Sequence, residues 1–223
     1  MLANTKKYVV IGVGFAIVIG LALSFTSYLN QFDQVQTHDI DNTDEMVTVS
    51  APVLGSQSAP VTIIEIGDYQ CEMCKHWFDH SRQQIIDNYI NTGKVNMVFL
   101  DMPFLGQDSL SASEATYCAN DQGRYWDYHI MLYNYQEGVD SGWANNDRLK
   151  SFAFNLGLEL DKFSHCLDSK KYLKQIKFNH DKAKSMGATS TPSFLFVNTS
   201  GEQQRVVGAQ PYSTFQQVID SLL

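Results

Sequence analysis

Cys71 and Cys74 are separated by two residues, directly behind a β-branched run, Val61-Thr62-Ile63-Ile64-Glu65-Ile66, and directly ahead of a helical pattern. That order predicts a strand, a tight turn and a helix, with one thiol at the helix start and the other a turn inside, where the sulfurs can meet. A helix start carries unpaired N–H groups and a positive dipole end of roughly half an elementary charge. Both favour a thiolate, the reactive form of cysteine. Cys71 therefore reads as a nucleophile and Cys74 as its resolving partner, forming a redox disulfide.

The flanking pattern extends this unit. Met73, Trp77 and Phe78, then Ile85, Tyr89 and Ile90, recur at helical spacing, and Asn91-Thr92-Gly93 predicts the stop. Val95 to Leu100 reads as a second buried strand, parallel to the first because a helix connects them. From Ser109 to about Met186 the periodicity is helical, with Gly123 and Gly157 as breaks. Ser193 to Val197 and Gln204 to Val207 read as strands around the turn Asn198-Thr199-Ser200-Gly201, and Ser213 opens a last helix. A βαβ unit, a helical block and a ββα end describe an α/β, thioredoxin-like fold with an inserted helical subdomain at about 109–186.

The first fifty residues are physically different. Tyr8 to Leu29 contains no charged residue. As a helix at about 1.5 Å per residue it is roughly 33 Å long, enough to cross a bilayer core. Lys6 and Lys7 precede it, and no Lys or Arg follows until Lys75. The positive-inside rule then puts residues 1–7 in the cytoplasm, 8–29 in the membrane as a signal anchor, and the rest outside. A cleaved signal peptide is the alternative, although its best small-residue site, at Ala22 and Ser24, lies inside the apolar run. Residues 30–51, with Asp33, Asp39, Asp41, Asp44 and Glu45, read as an acidic linker to a domain at 52–223. The expected setting is a single-pass cell-membrane protein whose folded part faces an oxidising, extracytoplasmic space.

A net charge of -8 argues against nucleic acid as a partner, and no basic run is longer than Lys170-Lys171. A metal site would have to use Cys71, Cys74, His76 and His80, which crowd one short helix start, with no second CxxC. Haem attachment fails because position 75 is Lys. No cofactor is expected. His129, among Tyr125, Trp126 and Tyr133, reads as a core or boundary histidine, with a peptide groove lined by those aromatics as the alternative.

Several segments together resemble the DsbA-like thiol–disulfide oxidoreductases, especially the membrane-anchored kind, from roughly Pro52 to Leu223. They are Asp68-Tyr69-Gln70-Cys71-x-x-Cys74, Cys118-Ala119 followed by Tyr125-Trp126-Asp127-Tyr128-His129, Phe163-x-x-Cys166-Leu167, and Gly187-x-x-x-Thr191-Pro192-Ser193-Phe194. The resemblance implies a cis bond at Thr191-Pro192, packed beside the CxxC. A proline there leaves the backbone edge of Thr191 free to pair with an extended substrate. Met73, between the cysteines, belongs to the same substrate-binding surface. Glu65 matches a buried acid of the family, placed to take the proton released when Cys74 attacks a mixed disulfide; an exposed carboxyl at the sheet margin is the alternative. Cys118 and Cys166 match a second pair, either a structural disulfide within the helical block or a second redox couple. Closing about 49 residues would stabilise by roughly 4 kcal/mol in the chain-entropy model.

Glu72-Met73 departs from the Pro and His that strongly oxidising members carry. A carboxylate beside Cys71 opposes its ionisation, so a less oxidising couple is expected. Three functions follow. One is an oxidase that introduces disulfides into reduced exported proteins and is recharged by a membrane redox partner, a quinone-linked oxidase. The second is the same chemistry run as an isomerase or reductase. The third is a non-catalytic tethered peptide-binding or chaperone module.

Overall fold

A computed structural model describes residues 51–223. The anticipated anchor at 8–29 and nearly all of the linker lie outside the described residues. Among the described residues no helix is long and apolar enough to cross a membrane.

Four strands form one sheet in the order β2-β1-β3-β4. They are β1 (Val61–Gly67), β2 (Val95–Asp101), β3 (Ser193–Asn198) and β4 (Gln203–Val207). β1 pairs parallel with β2, Val61 opposite Val95, and antiparallel with β3, Ile66 opposite Ser193. β3 and β4 are antiparallel. Helix α1 (72–90) joins β1 to β2, as parallel pairing requires. It is α-helical at Glu72–Trp77 and Gln83–Ile85 and widens to π geometry at Phe78–Arg82 and Ile86–Ile90. The apolar spacing did not reveal those two wide turns. Gly93, at φ +75°, supplies the left-handed residue that ends the segment, with Lys94 N–H bonded to the Tyr89 carbonyl.

Between β2 and β3 lie α2 (Gln107–Asn120), α3 (Tyr125–Asn134), α4 (Asn146–Asn155), α5 (Leu160–Asp168) and α6 (Leu173–Ser185). The inserted helices thus run one or two residues from the expected bounds. α7 (Tyr212–Leu222) closes the chain.

Alternation along β1 divides the core. Val61 and Ile63 face Trp77, Ile85 and Tyr89 of α1 and Phe215, Ile219 and Leu222 of α7. Ile64 and Ile66 face the other way, against Val98, Leu100, Leu195 and Ala183 of α6. Each large apolar side chain fully buried here contributes about 1.5–3 kcal/mol before entropy is counted. A third cluster joins Cys74, Tyr69 and Phe99 to α2, α3, α4 and α5. The helical insertion therefore packs directly beneath the cysteine pair. That placement makes its side chains part of the site.

Candidate active site

β1 delivers the site through Asp68-Tyr69-Gln70. The Asp68 carboxylate accepts hydrogen bonds from the Gln70 amide (2.8 Å), the Ser109 hydroxyl (2.6 Å) and the amides of Phe104 and Leu105 (2.9 and 3.1 Å). Gln70 is clamped in turn, its side-chain amide donating to Ser109 and Asp140 at 3.0 Å. A Cβ at Gly106 would come within 2.2 Å of the Asp140 carboxylate, so this position must be glycine for the clamp to close. Gln136 donates to the carbonyls of Tyr69 and Cys71. Together these bonds fix the backbone that presents Cys71.

Cys71 is the N-cap of α1, and its Sγ accepts the Cys74 amide at 3.3 Å. Its thiol also reaches the Thr191 carbonyl at 3.4 Å. The Thr191–Pro192 peptide bond is cis, so the loop before β3 lies against the nucleophile. The Cys74 thiol stabilises the Cys71 thiolate most; burial opposes, and Thr191 and the amides of Cys74 and Met73 add to the stabilisation, holding Cys71 at about 6. Cys74 is wholly buried, and burial, then the bond to Cys71, pushes its thiol well above the ordinary range. The two sulfurs are held in opposite states by their positions. Glu72 is exposed, where water screens its carboxylate, which is why it does not undo the depression at Cys71.

Glu65 lies wholly buried between Phe99 of β2 and Phe194 of β3, not at a watered sheet margin. Burial raises its carboxyl to about 8, against a lowering influence of Arg82, and neither oxygen has a hydrogen-bond partner among the described residues. Arg82 is 4% exposed, its guanidinium 5.2 Å above the Phe78 ring and 5.8 Å from Trp126. His129 is a core residue, bonded through Nδ1 to the Tyr69 hydroxyl at 2.9 Å.

Met73 is half-exposed at the rim of a groove of about 560 Å³, beside His76, His80, Gln136, Glu137 and Val139. Among the described residues no three His, Cys, Asp or Glu converge as a metal site would require. Cys118 of α2 and Cys166 of α5 form a disulfide, with Cα atoms 5.7 Å apart.

Sequence reading brought Cys71, Cys74, Met73, Glu65, Thr191 and Pro192 into consideration; the fold brings Cys71, Cys74 and Thr191 into contact, puts Met73 on the groove rim and Pro192 after the cis bond, and buries Glu65 within β1. It missed Arg82, Gln136 and Asp140. Arg82 alone left a local signal, standing four residues beyond Phe78 and eight beyond Cys74 on a stripe that is otherwise apolar.

The geometry predicts the outcome of an alkylation titration of the reduced protein. Cys71 should react with an apparent pKa near 6, and Cys74, pushed well above the ordinary thiol range by burial, should stay unreactive where Cys71 titrates. Because the folded value lies below the unfolded one, this group's stabilisation is complete above about pH 9 and is lost as pH falls through about 6. A single reactive thiol titrating like free cysteine would contradict the arrangement.

A thioredoxin family model matches residues 48–221. "Probable disulfide bond formation protein D" of Bacillus cereus is 26% identical over 201 residues, covering 87% of this chain and 90% of that protein. "Disulfide bond formation protein D" of Bacillus subtilis is 29% identical over 150 residues, 66% of this chain and 67% of that one. The crystal structure of oxidised BdbD from Bacillus subtilis superposes with a TM-score of 0.70 at 24% identity, covering 77% of this chain and 92% of that one. By family match, fold and relatives, the chain belongs to the thioredoxin family, as a DsbA-like protein disulfide oxidoreductase.

Proposed function

We propose that this oxidoreductase introduces disulfides into exported proteins outside the cytoplasm, held to the membrane by residues 8–29. The observation that carries the exchange chemistry is the contrast between the sulfurs: Cys71 ionised near neutral pH, Cys74 buried as a thiol. A disulfide whose reduced form is stabilised in this way gives its oxidising power away. Lys6 and Lys7 ahead of the uncharged run support the topology, and the relatives' names support disulfide formation over its reversal.

In the reaction, an extended substrate segment pairs along Thr191, and its thiolate attacks Cys71 Sγ of the Cys71–Cys74 disulfide. That bond breaks and a mixed disulfide forms, with Cys74 leaving. A second substrate thiolate then attacks the substrate sulfur, and Cys71 departs as a stable thiolate. The substrate has lost two electrons and the enzyme has gained them. A quinone-linked membrane oxidase takes them back. Glu65 supplies and recovers the proton that Cys74 needs.

Equilibration of the Cys71–Cys74 pair with glutathione tests this. The expected potential is well above the roughly -270 mV of thioredoxin, with each 30 mV worth about 1.4 kcal/mol. A value at or below that of thioredoxin would turn the proposal into its reverse, a reductase.

A further inference from the structure

The segment joining α3 to α4 forms a wall beside the cysteine pair. Gln136, near its start, donates to the carbonyls of Tyr69 and Cys71, the latter at 3.2 Å. Asp140 takes a left-handed φ of +48°, and its amide and carboxylate both hold the Gln70 side chain, at 2.6 and 3.0 Å. The residues between them, Glu137 to Val139, are thus pinned at both ends to the backbone that presents Cys71. They line the groove of about 560 Å³ together with α1, whose contribution begins with Glu72 and Met73, the two residues between the cysteines. Thr191 and Pro192 do not line it, so the groove is separate from the edge along which a substrate backbone pairs.

The lining is apolar and acidic at once. Met73 and Val139 both border the groove and are 49% and 53% exposed, apolar surface that an apolar guest would take out of water. Lys75 is the one lysine or arginine of the lining, and it is spent on Asp79 at 2.9 Å. His76 and His80 stack on each other with centroids 4.2 Å apart, and His80 Nδ1 donates to the His76 carbonyl. Glu72 has no ion-pair partner among the described residues. Glu137 has Arg148 at 3.8 Å, with both side chains about half-exposed, so the pair cancels little. Two carboxylates in this groove are left without a matching cation.

We propose that the groove is a specificity site, which receives a substrate segment carrying an apolar residue and a lysine or arginine close to the cysteine that attacks Cys71. The apolar side chain lies between Met73 and Val139, and the cation lies against Glu72 and Glu137. An extended chain advances about 3.3 Å per residue, so the groove is within about three residues of the reacting cysteine. The site rests on the proposed exchange chemistry and names the substrates that this chemistry favours.

Single-turnover reduction of the oxidised protein by three matched peptides tests it, at about pH 8 and low salt, with peptide concentration varied to separate half-saturation from limiting rate. Beside their cysteine the peptides carry Leu and Lys, Leu and Glu, or Ser and Lys. Each rate is divided by that peptide's rate with an uncharged small disulfide, which removes the effect of the flanking residues on its own thiol. The Leu-Lys peptide should lead each of the others about fivefold, through half-saturation. Salt at about 0.5 M should erase its lead over Leu-Glu and keep its lead over Ser-Lys. E137K should level or invert the first ratio, and V139S should shrink the second. Both ratios are taken within one protein, so a variant that folds in part still reports. The chain's net charge of -8 attracts any cation, and a first ratio unchanged in E137K would assign the preference to that general field and overturn the site. Equal rates for the three peptides overturn it as well. A preference that fades as the protein is concentrated would give the groove to a second copy of the chain and overturn the substrate assignment. If the unsubstituted protein transfers no electrons to any peptide, the exchange reading fails instead.

Discussion

The Cys71→Ala protein should oxidise a reduced, unfolded substrate no faster than buffer does. Every electron passes through that sulfur, because Cys74 is wholly buried and its thiol is held protonated. Lowering Cys71 from its ordinary range to about 6 raises its thiolate fraction at neutral pH about thirtyfold over a free cysteine. The same shift makes it the better leaving group when a substrate thiol resolves the mixed disulfide. Alanine removes both advantages together with the atom itself. Cys74→Ala should behave differently: Cys71 still forms mixed disulfides, which then persist and can be isolated with the substrate attached. Continued oxidation by Cys71→Ala would place the activity elsewhere in the chain and return the tethered, non-catalytic reading. Absence of mixed disulfides with Cys74→Ala would show that Cys71 meets no substrate.

How much of this site could be read in advance depends on sequence distance. The strand, the CxxC and the helix start are contiguous, so β-branching, helical spacing and the N-cap disclose them together. Thr191-Pro192 lies 120 residues from Cys71. Nothing local ties the two, and only likeness to a family brought them together. Gln136 and Asp140 are bonded to residues 65 and 70 positions earlier, through a loop with no periodicity to read. Arg82 escaped for another reason. Charged residues are almost never buried unless paired, so a cation on an amphipathic helix is assigned to water by default. Here the π-type turn at Phe78–Arg82 accompanies its burial between Phe78 and Trp126, close enough to Glu65 to act on it.

Removing the Cys118–Cys166 disulfide should lower stability strongly. The bond spans 48 positions and joins α2 to α5, whose shared core includes Tyr128, Phe163 and Leu167 beneath the cysteine pair. Both residues are buried, 1% and 5% exposed, so solvent thiols reach them poorly. Replacing both by alanine frees the unfolded chain by about 4 kcal/mol in the chain-entropy model. For a domain of this size that corresponds to a fall in melting temperature on the order of 10 °C. The space left by two sulfurs adds to the loss. A staple and a second redox couple predict different companions to this effect. If the bond is a staple, the double variant melts early yet transfers electrons at the unsubstituted rate per folded molecule below its transition. If it is a redox couple, turnover per folded molecule falls as well, while Cys71 alkylation is unchanged. The first outcome is expected, because neither sulfur caps a helix or touches the groove at Met73, and a buried, unactivated disulfide exchanges slowly.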